Sequence, residues 1–107
     1  MNPGQKVGIW LRDEAAKLFL GLAGKRPVSR WIVIGDVMEG EQPPIGVWIH
    51  IEFIEERRPI KSGKIKHVRW FVKPGQSLIR WEYIISAQNL KNAEVPEDPR
   101  PDPGQYL

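Results

Sequence analysis

The chain of 107 residues contains no cysteine, which excludes disulfides, thiolate nucleophiles and Cys-based metal sites. No apolar run approaches the roughly 18 residues of a membrane span. The only candidate apolar region near the N-terminus is interrupted by Arg12, Asp13, Glu14 and Lys17, so no signal-peptide pattern is present and the cytoplasm is the expected compartment. Nucleophile motifs are missing too: none of Ser29, Ser62, Ser77 and Ser86 sits in a G-x-S-x-G elbow. Gly21-Leu22-Ala23-Gly24-Lys25-Arg26 falls short of a phosphate-binding loop, because Phe19 stands at the first glycine position and Arg26 replaces the hydroxyl residue. Its G-x-x-G spacing does not join two helices as an RNA-binding KH loop would, since Pro27 and an apolar strand follow. No cofactor motif is found, and an enzyme has no positive support.

What remains is an ordinary globular composition, 41% hydrophobic and 27% charged, with five Trp. Trp is costly to expose, so five in a short chain predict anchors of a core or an interface. Net charge is +3, which permits an anionic partner without demanding one.

The stretch from Ile45 to Ser86 predicts three successive β-strands. In the first, Ile45, Val47, Ile49, Ile51 and Phe53 alternate with Trp48, His50 and Glu52, the period of a sheet with one buried face. Lys73-Pro74-Gly75-Gln76 carries type II turn residues and predicts a hairpin joining the second and third strands. Symmetric pairing about it sets Trp70 against Ile79 and Val68 against Trp81. A long hairpin tip over Glu55 to Gly63 sets Ile49 against Trp70 and Ile51 against Val68. In that register Trp70 and Trp81 point into the core. The outer face then holds the rows Trp48, Phe71, Leu78; His50, Arg69, Arg80; and Glu52, His67, Glu82.

Upstream, Leu11, Ala15, Leu18 and Leu22 recur at helical spacing, with Asp13 and Glu14 in the first turn and Gly24 where a C-cap belongs. They predict an amphipathic helix over Ile9 to Ala23. The rival is a strand through Val7 to Leu11 followed by a second through Lys17 to Leu20. Arg30 to Val37 predicts a strand whose continuous run Trp31-Ile32-Val33-Ile34 implies burial on both faces, with either Trp31 and Val33 or Ile32 and Ile34 facing the main core.

The expected fold is α+β: an N-terminal helix packed on a four-stranded antiparallel, strongly twisted meander, a sheet that can curl into a partial barrel. Residues 1–90 form one domain and 91–107 an extended acidic, Pro-rich tail, with four acids against one Arg between Glu94 and Asp102. Between Arg57 and Arg69 stand six Lys or Arg and no acid, a basic patch for that tail to lie against.

Candidate chemistry lies on the outer face. Glu52, His67 and Glu82, with His50 nearby, have the residue types of a metal or acid–base site, but an ordinary cross-strand salt-bridge row explains them as well, and no metal is expected. Trp48, Phe71 and Leu78 with Arg69 and Arg80 at the rim have the composition of an interface centre. Arg57, Arg58, Lys61 and Lys64 form a secondary basic contact. The expected function is a non-catalytic protein-interaction module, a homodimer or a partner of another protein. The alternative is single-stranded nucleic-acid binding through the same face.

Overall fold

The computed structural model describes residues 4–15, 29–40, 42–70 and 75–90. Among these, six antiparallel strands account for 67% of residues and helical turns for 9%. The strands are β1 (Lys6–Leu11), β2 (Arg30–Val37), β3 (Gly46–Pro59), β4 (Ile65–Trp70), β5 (Gly75–Arg80) and β6 (Ile84–Asn89), with a 3-10 turn at Trp81–Tyr83 between the last two. Their order is β4-β3-β2-β1-β6, and β5 also pairs with β3.

The expected α+β fold is therefore corrected to a mostly β one. Ile9, Trp10 and Leu11, placed in a helix by their spacing, belong to β1, in agreement with the first strand of the rival pattern. Only Asp13–Ala15 are helical among the described residues of that segment, and residues 16–28 lie outside them. Burial decides this. Val7, Ile9 and Leu11 enter one core cluster and Trp10 another. A helix offers one buried stripe, whereas a central strand buries both faces. Helix propensity differs by only a few tenths of a kcal/mol per residue, against about 1.5–3 kcal/mol for each large side chain removed from water.

The sheet coils around its inner face. Val7, Ile9 and Leu11 of β1, Trp31, Val33 and Val37 of β2, Val47, Ile49, Ile51 and Ile54 of β3, Ile79 of β5 and Ile84 of β6 make a single cluster. The two ends of the sheet thus contribute to one core, and three residues of 3-10 turn suffice to join β5 to β6. On the outer side Trp10, Ile32, Ile34 and Phe53 form a second buried cluster, flanked by Ile85 and Leu90. The open question at β2 is settled by this arrangement: Trp31 and Val33 face the main core, Ile32 and Ile34 the outer cluster.

A bulge in β3 sets the rest. The β2–β3 register passes from Ile34↔Phe53 to Gly35↔Ile51, leaving Glu52 unpaired as the extra residue. Gly35 permits the close approach, because a Cβ there would overlap the His50 carbonyl oxygen and crowd the Ile49 side chain. Beyond the bulge the faces exchange, so that Ile54 turns inward and Phe53 outward.

The strand does not break at Glu55 as expected. It runs to Pro59, and a short turn follows in which Gly63 N–H donates to the Ile60 carbonyl (3.0 Å) with Gly63 at φ +78°. Both expected hairpin registers are corrected as a result. β4 and β5 lie one after the other along the same edge of β3: Ile54 pairs with Trp70 and Glu56 with Val68, while Val47 pairs with Ile79 and Trp48 with Leu78. Trp70 and Trp81, both expected in the core, are 40% and 47% exposed. The turn at Lys73–Pro74 and the Pro-rich tail fall outside the described residues.

Candidate functional site

Of the expected interface residues, Trp48, Arg57, Arg58, Arg69, Leu78 and Arg80 lie on β3, β4 and β5 and Lys61 and Lys64 in the turn between β3 and β4, and they separate into two groups. At the Gly46 end, Trp48 and Leu78 face each other directly across the β3–β5 ladder, where the sequence register had set the strand carrying Phe71 between them. The Trp48 carbonyl accepts from Met38 N–H (3.0 Å), and its own N–H donates to Gln42 Oε1 (2.8 Å), which in turn donates from Nε2 to the Met38 carbonyl (3.0 Å). With both backbone groups turned away from β5, Trp48 and Leu78 form a non-hydrogen-bonded pair, in which side chains approach most closely. Ile45 and Trp81 continue the ladder beyond Gly46 and Arg80, since Trp81 N–H donates to the Ile45 carbonyl (3.0 Å). Ile45, Trp48 and Trp81 are 53%, 38% and 47% exposed. Arg80 closes this end by an ion pair to Glu82 at 2.7 Å. Phe71, the third member of the expected row, lies outside the described residues.

The other group surrounds two consecutive glutamates of opposite facing. Glu56 is fully buried on the inner side. Its carboxylate accepts from Ser29 Oγ (2.7 Å), from Arg58 Nε (3.1 Å) and Nη2 (2.9 Å), and from Trp70 Nε1 (3.3 Å). This bidentate bond holds the Arg58 pKa above its ordinary value: the hydrogen bond to Glu56 is the main cause, burial opposes it, and the carboxylate charge adds to it. Burial of a charge is tolerable here because every Glu56 oxygen meets a donor. Trp31 lies beside the Trp70 ring, with centroids 6.5 Å apart.

Glu55, also buried, faces outward. Arg57 Nε stands 3.6 Å, Arg69 Nε 3.5 Å and His67 Nδ1 3.9 Å from its carboxylate. The two guanidiniums lie over aromatic rings of the outer cluster, Arg57 over Trp10 at 4.9 Å and Arg69 over Phe53 at 4.6 Å. Nearby, Arg30 is held by both oxygens of Asp13 at 3.0 and 3.1 Å. Lys61 and Lys64 sit exposed at the β3–β4 turn, and among the described residues neither makes an ion pair.

The expected rows of His and Glu are taken apart. His50 is in register with Gln76 and His67 with Arg57. Lys6 takes Glu52 at 2.7 Å, Arg80 takes Glu82, and His67 approaches Glu55 instead. Among the described residues no three His, Asp or Glu come together as metal ligands. The row His50, Arg69, Arg80 is dissolved as well, since Arg69 pairs with Glu55 and Arg80 with Gly46. The cause is the length of β3: the turn follows Pro59, which pairs with Ile65, so β4 meets β3 further along the strand than expected.

Two features escaped the sequence pattern, the exposure of Ile45 and Trp81 and the burial of Glu55 and Glu56. For the second a signal existed. In Glu55-Glu56-Arg57-Arg58, positions two apart share a face of a strand, so each acid is matched with an arginine on its own side.

No family model, curated protein or solved structure matches this chain. No helix among the described residues is long and apolar enough to cross a membrane.

Proposed function

We propose that this chain is a non-catalytic binding module that associates with a second copy of itself through the Gly46 end of the β3–β5 ladder. The observation that carries this reading is the exposure of Ile45, Trp48 and Trp81 at that one end, between 38% and 53%, with Leu78 paired to Trp48. Large aromatic side chains kept in solvent by a small domain gain most from a partner surface, and Trp is the residue type most enriched among binding hot spots. Arg80 and Glu82 supply a polar rim of both signs, which suits a self-complementary contact about a two-fold axis. Sedimentation equilibrium over a wide concentration range tests it. A monomer at every concentration, with Trp48→Ala leaving solubility unchanged, would sink the idea.

A second reading is supported by the basic turn. Lys61, Lys64 and Lys66 project without ion pairs among the described residues near the Pro59 end of β3, whose other end carries Trp48 and pairs with Arg80 of β5. Such a strip suits a single-stranded nucleic acid, phosphates on the lysines and bases on the exposed rings. Tryptophan fluorescence during titration with a mixed oligonucleotide, at about 50 and 200 mM salt, separates the two: quenching that weakens steeply with salt favours nucleic acid, and a flat signal leaves the aromatic end to protein.

A further inference from the structure

We propose that Arg57, His67 and Arg69, fanned around the buried Glu55 carboxylate, form a binding site for a dianionic phosphate monoester group. The site lies on the half of β3 beyond the bulge and is independent of the aromatic end.

The pairing register supplies the frame. Arg57 faces His67 and Glu55 faces Arg69 across the β3–β4 ladder, so the four side chains occupy a two-by-two block on the outer face. Within it exposure is graded. The Glu55 side chain is 4% exposed and Arg57 18%, whereas His67 and Arg69 reach 54% and 50%. A carboxylate thus sits at the floor and three nitrogen-rich groups rise around it. The row continues across β2, where Arg30 is in register with Arg57.

The geometry at Arg69 leaves room for an anion. Like charges placed directly opposite in a sheet repel. Here Arg30 and Arg57 are opposite, with Asp13 paired to Arg30 and Glu55 standing beside both Arg57 and Arg69. Glu55 serves three partners at 3.5–3.9 Å, which is ion-pair contact rather than hydrogen bonding. The Glu56–Arg58 pair on the other face, closed by bonds of 2.9 and 3.1 Å, shows what a saturated arrangement looks like in the same strand. Arg69 in particular keeps an exposed fork of N–H donors, in a planar geometry that matches phosphate oxygens.

Preorganisation is the other half of the case. Arg57 sits over the Trp10 ring and Arg69 over Phe53, and Glu55 stands beside both guanidinium heads, so each arginine is held at two points. Long arginine side chains lose much rotamer freedom when they bind, and here that loss is already incurred in folding. Glu55 is a positioning residue in this scheme, and Arg69 and His67 are the groups that touch the anion.

The test is a titration of the intact chain with inorganic phosphate at constant ionic strength, read from the arginine Nε–Hε resonances. Saturable shifts of Arg57 and Arg69 are expected. Arg69→Lys keeps the charge and loses the fork, and should weaken binding about tenfold. Lys64→Met removes a full charge at the turn and should change binding by less than about twofold. Phenyl phosphate, a dianionic monoester, should bind several-fold more tightly than dimethyl phosphate, a monoanionic diester. Absence of saturation, an equal loss in Lys64→Met and Arg69→Lys, or equal binding of the two esters would each overturn the assignment. Both substituted side chains are solvent-facing, so neither variant depends on repacking the core.

Discussion

Glu56→Gln is the substitution whose consequence follows most directly from the geometry. The side chain is fully buried and accepts four hydrogen bonds, two from one guanidinium. Glutamine is nearly isosteric, so no cavity opens and the effect is electrostatic. Its carbonyl can still receive Ser29 or Trp70, but its amide nitrogen then points a donor at the Arg58 donors. One of the two charge-assisted bonds loses its acceptor and the other goes to a neutral carbonyl, each such bond being worth about 1.5–3 kcal/mol, and breaking a buried pair from one side costs about 3–5 kcal/mol. The Arg58 side chain is 26% exposed, so water recovers part of its hydration. A net loss of about 3 kcal/mol is expected. With a slope near 1.5 kcal/mol per molar urea for a domain of this size, the unfolding midpoint falls by about 2 M.

The decisive measurement is the double variant Glu56→Gln with Arg58→Met. Once the unpaired charge is gone, the introduced glutamine keeps an acceptor for Ser29 and a methionine stem fills the arginine's place. Stability should return to within about 1 kcal/mol of the parent. Equilibrium urea unfolding of the parent, both single variants and the double variant completes the cycle. If Glu56→Gln costs less than about 1 kcal/mol, or if the double variant is no more stable than Glu56→Gln alone, then the pair is not what holds this end of β3.

Gly35→Ala should destabilise by about 1–3 kcal/mol, because its Cβ would overlap the His50 carbonyl oxygen, and thermal melting reads this directly; an unchanged melting temperature would mean that the bulge can move. Trp48→Ala is expected to abolish concentration-dependent association while leaving the melting temperature of the dilute protein unchanged, and persistence of the dimer would place the contact elsewhere. The hydrogen bond to Glu52 raises the Lys6 pKa from 10.5, so that pair's contribution is complete below 10.5 and is lost as pH rises through the higher folded value. Both side chains are solvent-accessible, so the alkaline slope is small, and Lys6→Met should remove it in urea titrations carried out on either side of that range.

Much of the sheet was legible because its signals are local. Alternation over Val47–Glu52 gave the correct faces, and Trp48 and Leu78 were rightly set on one row, although as direct partners they replace the expected pairs of each with Phe71. The unbroken apolar run of β2 implied burial on both sides, and Trp31–Val33 and Ile32–Ile34 do serve two clusters. The helical reading of Leu11, Ala15, Leu18 and Leu22 failed at its start. Spacing cannot report that β1 runs between two strands, where Gly8 pairs with Ile34 on one side and Gln88 on the other.

The expected loop at Glu55 failed for a less local reason. Four consecutive charges ordinarily end a strand, since burying an unpaired carboxylate is prohibitive. In this chain each carboxylate meets an arginine two residues on, and Glu56 finds Ser29 and Trp70 from segments far away in sequence. Those partners reach it only because the bulge has already exchanged the faces of β3, turning Glu56 inward where simple alternation from Ile51 would have put it outside. The bulge in turn depends on Gly35 of the neighbouring strand, whose missing side chain admits the His50 carbonyl. The identity of the buried acid is thus decided by a glycine on another strand. A pattern read along β3 alone contains no trace of that dependence, and Gly35→Ala and Glu56→Gln should for the same reason prove energetically coupled although their residues share no contact.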